Sequence, residues 1–246
     1  MTMKSRSGYL AVSLILFLSI GIFGQTGCLQ AAEPTVKATT DNPKMEFDPH
    51  HAALLILHYQ NDLVNPKGKF GPIYAERLAK SHVVENTKVV LDACRKAGIP
   101  VIYHQFAVTE GYAEIAKKPN PLWAALKKAD ICTKGTWGDE FVDELKPLKT
   151  EVVLSSPSLS AFDGTNLDNV LKAMGVTDLI ITGIMSARWV VLSTVISASD
   201  GQYYPIVVKD ACNDSTDELH NWIFDNIISK TAIITDSKEI ASLINK

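Results

Sequence analysis

Apolar residues in this chain gather into six short runs, separated by stretches with helical spacing. Ala52–Leu57 is continuously apolar, as in a strand buried on both faces. A helix is expected from about Ser81, because Val84, Thr87, Leu91 and Cys94 share one face and Gly98 supplies a stop. Ile99–Tyr103 reads as the second strand and Glu151–Leu154 as the third. Between them, Pro119, Pro121 and Gly138 break the pattern, leaving a short helix at Leu122–Lys128. Thr165 is expected to cap a helix over Asn166–Met174, with Asp168 in its first turn and Gly175 beyond its end. Leu179–Thr182, Pro205–Val208 and Ala232–Thr235 complete the strands. Further helices are expected around Arg188–Ser199, from about Asp217 to Ser229, and over Ser237–Ile244.

Strand and helix alternating in this way imply an α/β fold of three α/β/α layers, a doubly wound six-stranded parallel sheet. Ligands of such sheets bind beyond the carboxyl ends of the strands, where the strand order reverses. That rule selects His58–Asp62, Ser155–Phe162 and Gly183–Trp189, the segments after strands one, three and four. Within them and beside them the pocket candidates are His58, Ser156, Phe162, Ile184, Met185, Arg188 and Trp189.

The N-terminus reads differently. Lys4 and Arg6 precede an apolar run from Leu10 to Gly24, and Ala31 and Ala32 follow, the order of a secretory signal. The run is short for a membrane span, which needs about 20 residues. Extension towards Cys28 would leave an uncleaved anchor, and Cys28 after Gly27 offers a lipid acceptor, although Gln25 stands where an apolar residue is usual. Residues 1–32 are thus expected to be a signal peptide, 33–48 a linker and 49–246 the folded domain. The expected location is outside the cytoplasm, periplasmic or secreted, with membrane contact only through that anchor or a lipid on Cys28.

Net charge is −3 for the whole chain, and about −5 without Lys4 and Arg6. No cluster of Lys and Arg suggests nucleic acid as a partner. Cys94, Cys132 and Cys212 are widely spaced and imply neither a disulfide framework nor a metal knuckle. Cys94 and Cys212 read as small buried hydrophobes, whereas Cys132 lies in irregular chain within reach of the cleft.

Four blocks carry a family resemblance. Ala53-Leu54-Leu55-Ile56-Leu57-His58-Tyr59-Gln60-Asn61-Asp62 and Ser160-Ala161-Phe162-Asp163-Gly164-Thr165-Asn166-Leu167 come first. Leu179-Ile180-Ile181-Thr182-Gly183 and Tyr204-Pro205-Ile206-Val207-Val208-Lys209-Asp210-Ala211-Cys212 follow in the same order. Together they resemble the isochorismatase-like cysteine hydrolases, whose fold is a six-stranded parallel sheet with flanking helices. The resemblance implies an Asp after strand one, a Lys after strand three and a nucleophilic Cys after strand four. In that arrangement the Asp takes the thiol proton, the Lys and the helix dipole favour the thiolate, and backbone N–H groups hold the oxyanion.

Here those positions carry His58, Ser156 and Trp189. Trp189 has no nucleophilic atom, so it either fills the former pocket or offers a stacking platform. His58 is a candidate general acid or base, or a neutral histidine bonded to backbone. Ser156 near it would make a Ser–His dyad, crowded by Trp189. Asp62 reads as structural, tying down backbone N–H groups. His104 lacks the Asp-x-His pattern of the metal-binding branch, and no cofactor or metal is implied. The expectation is an exported family member without cysteine hydrolase activity, a pseudoenzyme that binds or interacts. The alternative is a hydrolase of altered mechanism using His58 as general acid or base. A small-molecule ligand and a homo-oligomer are the partners left open.

Overall fold

The computed structural model describes residues 45–185 and 189–246. The segment expected to be a signal peptide, Cys28 and Arg188 lie outside the described residues. In chain order the elements are β1 (Ala52–Leu57), α1 (Asn61–Val64), α2 (Gly71–Ser81), α3 (Val83–Ala97) and β2 (Val101–Phe106). Next come α4 (Pro121–Ala129), β3 (Val152–Ser156), α5 (Leu167–Ala173), β4 (Asp178–Ile184) and α6 (Val190–Asp200). The order ends with β5 (Tyr204–Asn213), α7 (Asp217–Asn226), β6 (Ile233–Thr235) and α8 (Ser237–Ile244).

All six strands run parallel in the order β3-β2-β1-β4-β5-β6. Strand order therefore reverses between β1 and β4, and their carboxyl ends form the crevice. Every residue of β1 is buried. Its alternate side chains serve two cores: Ala52, Leu54 and Ile56 face one helical layer, Ala53, Leu55 and Leu57 the other. That two-sided burial is why β1 is apolar throughout rather than alternating. Each such Leu or Ile contributes about 2 kcal/mol of hydrophobic stabilisation. Among the described residues no helix is long and apolar enough to cross a membrane.

Several boundaries differ from the sequence reading. The helix expected from Ser81 is the second of a pair, since α2 precedes it and His82, in the left-handed region at φ 50°, joins the two. Gly71 and Pro72 opening α2 masked its helical pattern. Asn166, not Thr165, occupies the N-cap position of α5, yet the Thr165 hydroxyl still accepts the Leu167 N–H at 3.1 Å. α7 ends at Asn226, and a separate 3-10 turn spans Ile228–Lys230. β5 continues past Val208 to Asn213 through an irregularity in its pairing with β4. The polar pair Lys209–Asp210 hid that continuation. The Asp210 carboxylate is used structurally, accepting the Ser237 N–H at 2.8 Å and its hydroxyl at 2.6 Å to fix the start of α8. Met45 and Phe47, within the stretch read as a linker, already pack on the domain. The Asp48 N–H donates to Asp178 at 2.9 Å.

Candidate functional site

The register of the sheet brings the selected segments together. Leu57 pairs with His104 across β1 and β2, and Phe106 pairs with Ser156 across β2 and β3. His58 follows β1 in the left-handed region, φ 61°, a conformation sparsely populated for any residue with a Cβ. Its backbone N–H donates to the His104 carbonyl at 3.0 Å, and its side chain is only 2% exposed.

A buried hydrogen-bond chain runs from there. His58 Nε2 lies 3.0 Å from His104 Nδ1, and His104 Nε2 lies 3.0 Å from Ser156 Oγ. Ser156 Oγ is also 3.0 Å from the Asp163 carbonyl and 3.3 Å from the Ser158 N–H. A carbonyl only accepts and a backbone N–H only donates, so with the Ser156 proton on Asp163 the chain runs in one direction. The Ser156 hydroxyl donates to Asp163 and accepts from His104 Nε2–H. His104 Nδ1 is then bare and accepts from His58 Nε2–H, which leaves His58 Nδ1 as a lone pair. Gly164, at φ 70°, supplies the turn that brings the Asp163 carbonyl back over Ser156.

Burial sets the protonation of both rings. It holds His104 down to about 4 and His58 well below the ordinary histidine value, the neighbouring His104 adding to the effect on His58. Both are neutral around pH 7. So this corner supplies no histidinium to give a proton, and Ser156 meets no base, because its own proton is committed to Asp163.

Trp189 stands at the N-cap of α6 without a side-chain capping bond. It lines an apolar pocket with His58, Leu63, Phe106, Leu122, Leu126, Ile131, Leu159, Met185 and Val190. The gap between these side chains measures about 330 Å³ counting its mouth, of which about 20 Å³ admits the centre of a water molecule. The second figure measures the closed pocket: it has room for about one water-sized group. Trp189 remains 37% exposed, so it forms the rim and only partly fills the space. Phe106 is stacked on Trp123 behind the pocket, ring centroids 6.1 Å apart.

Three candidates sit elsewhere. Phe162 packs beside Tyr203, centroids 5.9 Å apart, and does not line this pocket. Leu159, three residues earlier, is among the lining residues. Ile184 is absent from the His58 pocket and lines a smaller cavity with Tyr74 and Leu78, while Met185, at φ 57°, borders both. Cys132 does not reach the cleft: it is fully buried, with its N–H on Asp62 at 2.8 Å. Burial raises the thiols of Cys132, Cys94 and Cys212, Cys94 to about 12. Asp62 ties backbone as expected, accepting also the Lys69 N–H at 3.2 Å. His104, set aside as a metal ligand, is the central link between His58 and Ser156. The signal available was a polar residue inside an otherwise buried strand, one position from the strand-one end in parallel register. Among the described residues no cluster of three or more His, Cys, Asp or Glu is placed to hold a metal ion.

Comparison with known proteins agrees with the fold. The isochorismatase domain model matches residues 52–239. Ureidoacrylate amidohydrolase RutB of Serratia proteamaculans (strain 568) is 30% identical over 195 residues, 75% of this chain and 78% of that protein. RutB of Pantoea ananatis (strain LMG 20103) is 30% identical over 184 residues, 70% of this chain and 73% of its own. Among solved structures, a cysteine hydrolase from Pseudomonas syringae pv. phaseolicola 1448A superposes with a TM-score of 0.72 at 19% identity. That superposition covers 82% of this chain and 96% of the other, and it shows the shared fold.

Proposed function

The chain belongs to the isochorismatase family, and we propose that within it this protein is an exported member without cysteine hydrolase chemistry, acting by binding a small molecule or a partner. One observation carries the reading. The corner where family resemblance places an acid, a cation and a thiol holds instead a neutral His58–His104–Ser156 chain beside the indole of Trp189. A thiolate mechanism needs a depressed thiol pKa beside a base. Here the described thiols are buried and raised, and none lines the pocket.

Relatives named ureidoacrylate amidohydrolase make a ureidoacrylate the first substrate to try. Purified protein is expected to leave ureidoacrylate, simple esters and a vinyl ether at their uncatalysed rates, and Cys94, Cys132 and Cys212 unlabelled by a thiol-directed acylating reagent. A substantial rate enhancement on any of these substrates would overturn the proposal. Activity lost in His58→Ala would instead support a hydrolase in which His58 acts as a base, its Nδ1 being the free nitrogen. Export is supported by the basic–apolar–small order of residues 4–32. Mass spectrometry of the protein from fractionated cells is expected to find a mature N-terminus near Glu33 outside the cytoplasm. Recovery of the intact leader in the cytoplasm would refute it.

A further inference from the structure

The sheet has two edges, and they are finished differently. β6 has three residues and runs straight into Asp236, whose carboxylate caps α8. β3 has five, Val152–Ser156, in unbroken register with β2, so no bulge twists it away from solvent. Nothing among the described residues pairs along its outer side. Edges of this kind are commonly blunted by Lys, Pro or another charge within the strand. Here no charged residue occurs between Glu151 and Asp163. Val153 on the strand is 40% exposed, and Leu148 just before it 52%.

Bonds already made define what this edge still offers. The Ala107 N–H donates to the Ser156 carbonyl at 3.1 Å. A strand residue turns its N–H and C=O to the same side, and successive residues alternate, so Val152, Leu154 and Ser156 face β2 while Val153 and Ser155 face outward. Upstream, the Glu151 N–H is spent on the Leu148 carbonyl at 3.0 Å, and downstream Pro157 has no N–H. The outward pair Val153 and Ser155 is thus closed off at both ends. An antiparallel copy of the same strand matches it in one register: Val153 opposite the partner's Ser155, Ser155 opposite the partner's Val153, and Leu154 beside its own copy on the two-fold axis.

We propose that the β3 edge docks a second copy of this chain, the two sheets joining antiparallel into one continuous sheet. Each outward residue would exchange N–H and C=O bonds with its counterpart, and the half-buried Leu154 side chains would meet on the axis. Charge favours a copy of this strand as the occupant. The uncharged stretch from Val152 onward meets itself without opposing like charges, and the nearest one, Glu151, is held by Arg95 at 2.8 Å. The same register sets the partner's Val152 opposite Ser156, so the joined edge would cover the outer side of the His104–Ser156 pair.

The test reads oligomeric state on the full chain, so its outcome is independent of whether the protein binds or hydrolyses. Size-exclusion chromatography with light scattering is expected to give twice the mass of one chain. Ser155→Pro removes an outward N–H that the β2 ladder does not use, so the fold should survive and association should weaken at least about ten-fold. Ser155→Ala loses only the hydroxyl, which bonds Gln105 at 2.7 Å, and should remain a dimer. Single cysteines read the register in the folded protein, whatever Ser155→Pro does to folding. Leu154→Cys would stand about 4.5 Å from its copy between Cα atoms, within disulfide range, and should cross-link on mild oxidation. Ser155→Cys would lie about 7–8 Å diagonally from its copy and should not. A monomer at concentrations up to about 100 μM, a dimer indifferent to Ser155→Pro, dissociation by Ser155→Ala as complete as by Ser155→Pro, or equal cross-linking of the two cysteine variants would each overturn the proposal.

Discussion

Two buried polar clusters flank the end of β1, and they are built on opposite plans. Gln60, Asp62 and Asp139 form a closed cluster that grips backbone. Gln60 accepts the Phe106 N–H at 2.9 Å and donates to the Phe106 carbonyl at 2.7 Å, while Asp62 and Asp139 accept N–H groups from Cys132, Lys69 and Gly135. His58, His104 and Ser156 form an open cluster, uncharged and ending at His58, whose ring borders an apolar pocket. Groups whose bonds are all internal can only be scaffold, whereas a chain with a free end can meet a ligand. The residues that the sequence resemblance assigns to catalytic positions, His58, Ser156 and Trp189, fall in the open cluster or beside it, and Asp62 falls in the closed one. On the proposed reading, the charges that hold loops stayed and the charges that would act on substrate did not.

The largest expected effect breaks the closed cluster. A Cβ on Gly138 would stand 2.2 Å from Asp62 Oδ2 and 2.3 Å from its Cγ, so Gly138→Ala must displace the carboxylate from its N–H partners. We expect a loss of about 3 kcal/mol or more, combining overpacking with stranded buried donors. Urea denaturation measures it. A loss below about 1 kcal/mol would mean that the cluster yields easily and is not the scaffold described.

The next effect comes from the open cluster and depends on pH. Burial holds His104 down to about 4, against an ordinary value of 6.5, and holds His58 well below that ordinary value too. An unfolded histidine binds its proton near pH 6.5, and the folded His104 does not until about pH 4. The stability is therefore fully present above pH 6.5 and is lost as pH falls from there towards 4. His104 alone accounts for about 3 kcal/mol across that window. Urea midpoints measured from pH 7.5 down to 4.5 should fall, and His104→Gln should remove part of the fall, the rest coming from His58 and from His220, which burial also holds down to about 4. A flat profile in the unaltered protein would show that the histidines are hydrated, and the open cluster would lose its fixed direction.

How much of this was legible in the sequence follows the same division. β1 was readable because two-sided burial writes an uninterrupted apolar run, and Asp62 because a carboxylate after a strand commonly ties turn backbone. His58, Ser156 and Trp189, the positions that flanking text singled out, follow the ends of β1, β3 and β4 as the strand-order rule expects. His104 was not recognised, since its role depends on parallel register between β1 and β2, which spacing along the chain does not encode. Phe162 was misassigned to the pocket for a related reason: in a loop, no period of two or 3.6 says which way a side chain points. Leu159, three residues earlier, is among the lining residues and Phe162 is not.

A smaller effect sharpens the direction of the chain. Ser156→Ala removes the acceptor for His104 Nε2–H and the donor for the Asp163 carbonyl while changing little volume. The loss should be about 1–2 kcal/mol by urea denaturation, the usual consequence of stranding a buried donor. His104 would then be free to flip its proton to Nδ1, and ¹⁵N spectra of the histidines should show Nε2 and Nδ1 exchanging character. An unchanged spectrum would indicate that His58 and not Ser156 sets the tautomer.

The smallest expected effect is at the rim. Truncation of a fully buried aromatic typically costs about 3–5 kcal/mol. Trp189 is 37% exposed and its indole makes no capping bond to α6, so much of its surface already meets water. Trp189→Ala should therefore shift the urea midpoint by less than the equivalent of about 1 kcal/mol, and should widen the pocket at the same time. If the loss instead approaches that of a core aromatic, Trp189 is packed down over His58 in solution. The open cluster would then be closed at both ends, and the distinction between a scaffold that binds only itself and a site that waits for a ligand would fail at its most exposed residue.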